Sequence, residues 1–483
     1  MKTQTLSQKM FIAGKWIGKE KTIDVLNPQD HSVISSVPAA TAEDMLFAIE
    51  EAKNGAKVAA AMPVHVRMAV LNRAAQYIED HKEKYARTIA SEGSKTIREA
   101  RSEVKRCIQT LKICAEEARR INGETIPFDQ SEGSEDRVGY YYRFPIGIVA
   151  AITPFNDPLN LVAHKVGPAI ASGNAIIVKP ATATPLSALL LAEAFEAAGL
   201  PGEILSVVTG SGHELGDPLV THPAVRMVSF TGGLETGEAI AHKAGLKKLS
   251  MELGSNSPVI VLKDADINQA VESTVSGAFC AAGQNCIGVQ RIYIEKEKFE
   301  EFQSLFVERT KRYRIGDKLK ESTDMGPMIN EREAVRVESW VDEALSKGAR
   351  LLVGGERKGA FYSPTVLTDV PAGCTIAQQE IFGPVVLLYP VADIHSAIEQ
   401  SNHVNYGLQA GIFTKNIDKA FEAIEKMNVG GLMINDSSDY RIDGMPFGGV
   451  KGSGLGREGV KFAIQEMTEP KVVSFKLAHK RTI

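Results

Sequence analysis

The feature that most constrains this chain is an alternation of two kinds of segment. Between residues 146 and 262, short apolar runs (IGIVAAI, AIIVKPA, LSVVTG, VRMVSFTGG, PVIVL) are separated by helical stretches such as residues 185–198 and 235–244. Apolar runs this short, spaced by helix-length segments, predict βαβ units on a parallel sheet buried on both faces. A second alternating region spans about 263–430. Its strand candidates are RIYIEK, RLLVGG, PVVLLYP and GLQAGIFT, and its helices cover 296–313, 331–346 and 394–401. It reads as a second α/β lobe.

Outside these regions the pattern changes. Residues 40–121 read as helices: Thr41 followed by Glu43 and Asp44 makes an N-cap, and Pro63 separates two helices. Residues 137–143 (RVGYYYR) are aromatic and β-branched behind the polar turn DQSEGSEDR, and are expected to form an edge strand. A glycine-dense tail (DGMPFGGVKGSGLG) precedes a last strand at 470–475, which is expected to pair, with a partner subunit as one candidate, so oligomerisation is expected.

Composition narrows the partners. The 483 residues are 44% hydrophobic and 24% charged, ordinary for a folded chain. Against 59 acidic residues stand 55 basic ones, a net charge of −4, so no basic excess is available for nucleic acid or an anionic membrane. The longest apolar stretch, 146–152, is far below the ~18–20 residues that span a bilayer. The five cysteines, Cys107, Cys114, Cys280, Cys286 and Cys374, lack zinc-site spacing and are too sparse for a disulfide scaffold. With no apolar export signal behind the first lysines, a reducing, cytoplasmic setting is expected, with no metal site and a small molecule as partner.

Three segments carry candidate chemistry. Gly283-Gln284-Asn285-Cys286 sets a cysteine among small and polar residues before a strand, as a nucleophile requires; the alternative is a buried structural cysteine. Cys280 and the other cysteines are read as packing residues. Met251-Glu252-Leu253-Gly254 holds an acid in a small, apolar run, where burial raises its pKa toward that of a general base; the alternative is an ion pair. Thr153-Pro154-Phe155-Asn156-Asp157 follows the strand IGIVAAI at the ligand-facing edge of a parallel sheet. Asn156 there is either an oxyanion donor or part of an Asn-Asp-Pro turn. Phe230-Thr231-Gly232-Gly233, with Gly210 and Gly212 on the preceding turn, lets a pyrophosphate approach a helix N-terminus without forming the G-x-G-x-x-G fingerprint. Lys179 ends another strand, within reach of a ribose or phosphate.

Together with VKPA at 178–181, ETG at 235–237, EIFGPV at 380–385 and PFGGVKGSG at 446–454, these pieces make the chain resemble the aldehyde dehydrogenase superfamily along most of its length. The resemblance implies an α/β fold with three parts: a Rossmann-type cofactor domain (1–122 and 146–254), a catalytic domain (255–445), and a small β oligomerisation part (123–145 and 446–483). It implies that Cys286 attacks an aldehyde, that Asn156 and the Cys286 N–H hold the oxyanion, and that Glu252 activates the water that hydrolyses the thioester. NAD or NADP is the implied cofactor. Thr153, Pro154, Phe155, Lys179, Thr182, Gly212, Phe230, Thr231, Gly232, Gly233, Leu253, Glu380 and Phe382 are its implied contacts. Thr182 stands where many NAD-preferring members carry glutamate, so NADP is admissible.

Within the family the chain looks like the lactaldehyde, non-phosphorylating glyceraldehyde-phosphate and phosphonoacetaldehyde branch. Arg106, Arg291 and Arg441 are candidates for an anionic substrate group. Asp157 departs from the usual non-acidic residue beside the asparagine, and its carboxylate is expected to repel an anion and favour a hydroxyaldehyde. Anionic aldehydes (glyceraldehyde 3-phosphate, phosphonoacetaldehyde, sulfolactaldehyde, succinate semialdehyde) are the alternative, and a cysteine hydrolase pairing Cys286 with His164 is the rival class. Dimers or tetramers are the family habit.

Overall fold

In a computed structural model, residues 8–478 are described, and they build two parallel-sheet lobes side by side. The first lobe has five parallel strands. In chain order these are Ile148–Ile152, Ala175–Lys179, Leu205–Val207, Val225–Thr231 and Lys248–Glu252. In space they run third, second, first, fourth, fifth. Strand order therefore reverses between Ile148–Ile152 and Val225–Thr231, and a crevice opens beyond the carboxyl ends of such strands. Apolar clusters cover both faces, which is why Ile148, Val149, Ala150 and Ala151 are all buried rather than alternating.

The second lobe has six parallel strands and one antiparallel edge strand, Arg350–Val353. Its centre is Ser257–Val261 beside Val289–Glu295 and Gln409–Phe413. The short strands Thr365–Thr368 and Gly431–Ile434, which complete it, have too little sequence pattern to be foreseen.

The helices start where the sequence places caps. Thr41 and Asp44 form a reciprocal capping box on Ala42–Ala61, and Pro63 breaks the chain before Val64–Asp80. A second capping box, Thr96 with Glu99, opens the 22-residue helix Ile97–Ala118.

The strand around residues 137–143 differs from its expectation. Arg137–Pro145 is the middle strand of an antiparallel sheet, between Glu124–Ile126 and Thr468–Lys476. Nine register pairs to the C-terminal strand place it there, so that strand pairs within its own chain and leaves its outer edge open. The rest of the tail lies elsewhere. Gly454–Leu455 joins the first sheet beside Lys248–Glu252, and the helix Val460–Glu466 packs into the first lobe's core through Val460 and Ile464.

Candidate active site

One helix, Ile97–Ala118, holds both loops that matter. Glu99 accepts the Ala281 N–H at 2.8 Å, fixing the segment that leads to Cys286. One turn on, buried Glu103 accepts the Leu159 and Asn160 N–H groups at 2.8 and 3.1 Å, fixing the helix start just after Asn156. These are orphan donors of a helix N-terminus, satisfied by a carboxylate from another element.

The approach to Cys286 is backbone-strained. Ala281, Ala282 and Gly283 take φ of 49°, 56° and 69°, a left-handed run that costs on the order of 1 kcal/mol or more for each alanine. At Gly283 a Cβ would sit 2.2 Å from the Gly383 carbonyl oxygen, so only glycine lets the loop pack there. The turn presents Cys286 at the meeting point of two cavities.

The larger, of ≈ 820 Å³, lies beyond the carboxyl ends of the first sheet. Thr153, Pro154, Phe155, Phe230, Thr231, Gly232, Gly233, Leu253, Glu380 and Phe382 line it, and Glu252 opens into it as well. The smaller, of ≈ 400 Å³, is lined by Lys95, Arg106, Asp157, Asp436, Asp439 and Arg441 among others. Asn156, Gln284 and Cys286 belong to both walls. The Asn156 side-chain amide makes no hydrogen bond among the described residues, leaving its donor free for a ligand.

Burial sets the electrostatics. It pushes the Cys286 thiol up to about 12, against the pull of nearby Arg441. Glu252 is 3% exposed, and neither of its carboxylate oxygens has a partner. Burial, reinforced by the negative charge of Glu458, holds it well above the ordinary carboxyl range. Glu380 accepts the Ser255 N–H at 2.8 Å, and burial lifts it to about 7. A Cβ at Gly254 would meet Glu380 Oε2 at 2.4 Å, so that glycine makes room for the carboxylate. Phe382, at φ 44°, meets Phe155 edge to face at 5.7 Å between ring centres.

Three expected cofactor contacts stand just outside the larger cavity. Thr182 Oγ1 donates to the Gly210 carbonyl at 3.1 Å, and Lys179 Nζ donates to the Pro180 carbonyl at 3.0 Å. A Cβ at Gly212 would lie 4.0 Å from Lys179 Cε, so these residues form one neighbouring group. Burial lowers Lys179 to about 8.

Three expectations need correcting. Arg291 is no substrate residue: it is 2% exposed, lines neither cavity, and donates to the carbonyls of Asn256, Gln400 and Ser401 and to the Tyr293 hydroxyl. Asp157 does face the smaller cavity, but it is bound to Lys95 and lies 3.5 Å from Arg106, so its charge is compensated and cannot repel an anion as expected. Cys280, read as a packing residue, lines that same cavity. The rival cysteine–histidine pair has no support either. His164 is buried against Asp443 at 2.8 Å, and among the described residues no histidine lines either cavity.

The sequence alone does not reveal Lys95, Asp439 or the pair Arg336–Trp340, whose guanidinium lies 4.6 Å from the ring centre on the larger cavity's wall. No local motif marks them; only the fold brings them to the site.

A model of the aldehyde dehydrogenase family matches residues 16–473. The chain belongs to that family. As an NAD(P)-dependent aldehyde dehydrogenase it is similar to aspartate-semialdehyde dehydrogenase 1 of Pseudomonas canavaninivorans, 50% identical over 94% of this chain and 96% of that protein. Among solved structures it is similar to aldehyde dehydrogenase 21 of Physcomitrella patens in complex with the reaction product succinate, at 42% identity and TM-score 0.96 over 99% of each chain. It is also similar to the glyceraldehyde-3-phosphate dehydrogenase GapN of Methanocaldococcus jannaschii complexed with NADP, at 41% identity and TM-score 0.91 over 95% of this chain and 100% of that one.

The larger cavity suits such a dinucleotide. The hydroxyls of Thr153 and Thr231 are buried on its wall without a partner. The helix Leu234–Ala244 starts at Gly233 with no side-chain cap, leaving its first N–H groups and the positive end of its dipole for a pyrophosphate. No atom lies within 4 Å of where a Gly233 Cβ would stand, which keeps that approach open.

Proposed function

We propose that this aldehyde dehydrogenase oxidises a short aldehyde bearing an anionic group to the free acid, with Cys286 as nucleophile, Asn156 as oxyanion donor and Glu252 as base. The observation that carries it is the placement of Cys286 and Asn156 on the wall shared by the two cavities, with unpartnered Glu252 opening into one of them.

The Cys286 thiol loses its proton, and the sulfur forms a bond to the aldehyde carbon. The carbonyl electron pair moves to oxygen, where the Asn156 amide and the Cys286 N–H stabilise it, each donor contributing about 3 kcal/mol in such sites. A nicotinamide held among Thr231, Gly232, Glu380 and Phe382 would supply the hydride acceptor, and loss of the hydride from this carbon would leave a thioester on Cys286. Glu252 then takes a proton from water, the water oxygen bonds to the acyl carbon, and the C–S bond breaks. Aldehyde, water and oxidised cofactor thus become carboxylate, reduced cofactor and two protons.

The substrate reading moves from a hydroxyaldehyde to an anionic aldehyde because Asp157 is compensated, while Arg441, on the cavity wall it shares with Cys286, keeps a buried Nε–H with no partner among the described residues. The succinate complex and the aspartate-semialdehyde relative point the same way. Thr182, a neutral hydroxyl in the group formed with Lys179 and Gly212, supports acceptance of NADP as well as NAD. We assign residues 1–122 and 146–254 to cofactor binding and 255–445 to catalysis. Residues 123–145 are assigned, with the strand Thr468–Lys476 of the 446–483 tail, to assembly of a homodimer or homotetramer. The five unpaired cysteines support a reducing, cytoplasmic setting.

The test is reduced-cofactor formation from NAD and NADP with a panel of lactaldehyde, succinate semialdehyde, glyceraldehyde 3-phosphate and propanal, for the parent and Cys286→Ala. Turnover with the anionic members, abolished in the variant, is expected; turnover that survives the substitution overturns the assignment of Cys286.

A further inference from the structure

The smaller cavity holds charged groups of both signs, but they are not all paired with one another. Lys95 is bound by Glu103 and Asp157, and Arg106 by Asp157 and Asp443. Two acids on the same wall have no such partner. Asp436 accepts hydrogen bonds from the Ser273 hydroxyl and the Ser437 N–H, and Asp439 from the Ser437 hydroxyl; among the described residues no lysine, arginine or histidine forms an ion pair with either. Asp439 is packed against the helix Ile267–Phe279, where a Cβ at Gly277 would approach its Oδ1 to 2.7 Å. Burial raises its pKa from the ordinary value, and the negative charge of Asp436 adds to the rise.

Two residues along the chain, Arg441 offers the opposite sign. Its side chain is 6% exposed and lies over the Phe447 ring at 3.6 Å. Nη2 meets Glu458 at 3.2 Å, while Nε is buried with no hydrogen-bond partner among the described residues. A buried guanidinium N–H without an acceptor is costly unless a ligand supplies one. The lining of this cavity, which Cys286 shares, therefore includes guanidinium N–H groups without an acceptor, Arg441 Nε and Arg106 Nε, and two acids without a cation.

Building on the reading of Cys286 as nucleophile, we propose that the smaller cavity selects a zwitterionic aldehyde, an α-amino acid semialdehyde whose carboxylate bonds Arg441 and whose ammonium bonds Asp436 and Asp439. A ligand with both charges satisfies both unfilled sets at once. An aldehyde with only the carboxylate leaves two acids uncompensated, and one with only the ammonium leaves Arg441 Nε empty. A site built to pair a group discriminates against the analogue lacking it, because its own polar atoms are then stranded.

The test uses four aldehydes on the intact parent enzyme with saturating cofactor: L-aspartate 4-semialdehyde, succinate semialdehyde (no ammonium), 3-aminopropanal (no carboxylate) and propanal (neither). Aspartate semialdehyde is expected to exceed each single-charge analogue by about tenfold or more in kcat/KM. In Asp439→Asn, aspartate semialdehyde is expected to lose about that factor, bringing it to within about threefold of succinate semialdehyde. Asp436→Asn provides the second variant if the first does not fold. Succinate semialdehyde matching or exceeding aspartate semialdehyde in the parent overturns this inference and leaves the thiol mechanism standing. Absence of Cys286-dependent turnover with all four overturns both.

Discussion

Burial raises the pKa of both Cys286 and Glu252, against the ionised forms their chemistry uses. With the thiol pushed up to about 12, the cofactor-free enzyme keeps a resting thiol. Alkylation by iodoacetamide is therefore expected to be slow at pH 7, to rise steadily toward alkaline pH, and to accelerate once a cationic nicotinamide occupies the adjacent cavity. Fast alkylation at pH 7 without cofactor contradicts this. For Glu252 the sign is equally definite. Its folded value lies above that of an unfolded carboxyl, so ionising it costs stability from about pH 4.3 upward until the folded value is passed. Removing the charge relieves that cost: Glu252→Gln is expected to melt at or above the parent at pH 8, while thioester hydrolysis falls by about a hundredfold or more. The parent's hydrolysis step is expected to quicken as pH rises through the raised value, with no such limb in the variant. A melting point below the parent's places Glu252 among structural residues instead.

At the scale of elements, the helix Ile97–Ala118 carries more of the site than its sequence suggests. Glu103 binds two backbone N–H groups and the Lys95 ammonium at once. Its replacement by alanine leaves two buried N–H donors unpaired and the Lys95 ammonium with Asp157 alone, a loss of about 2–3 kcal/mol, with kcat reduced because the Asn156 loop loses its anchor. Chemical denaturation checks the first and steady-state kinetics the second; an unchanged midpoint contradicts the anchoring role. This helix also shows why the site was only partly legible. Its caps and apolar stripe are local patterns, as are GQNC and MELGSN. By contrast Glu103 and Lys95 carry no local signal: the acid looks like a solvated helical residue and the lysine like a loop residue until the Asn156 segment folds against them. Arg291 failed for the converse reason, since an arginine in a strand says nothing about which carbonyls surround it. The left-handed alanines at 281 and 282 had no signal either, because alanine seldom takes that conformation.

For the whole molecule, the proposed chemistry needs two lobes meeting at one thiol, and the proposed determinant of cofactor choice is the turn at Thr182. Thr182→Glu puts a carboxylate beside the Lys179 group, and kcat/KM for NADP is expected to fall about tenfold or more with NAD little changed. Equal losses for both contradict that placement. The open edge of Thr468–Lys476, with Val472 and Phe475 60% and 49% exposed, is a surface a second copy can cover. Val472→Asp is expected to lower the mass measured by light scattering; a monomeric parent contradicts the assembly assignment.

The central claim is that Cys286 carries the acyl group and Glu252 releases it. The most direct measurement is rapid mixing of Glu252→Gln with cofactor and the best aldehyde of the panel, followed by intact-mass analysis after acid quench. Expected are a burst of one reduced cofactor per active site, an acyl adduct mapped to Cys286, slow steady-state turnover, and neither burst nor adduct in Cys286→Ala. Parental turnover in Glu252→Gln, or a burst without an adduct on Cys286, contradicts it.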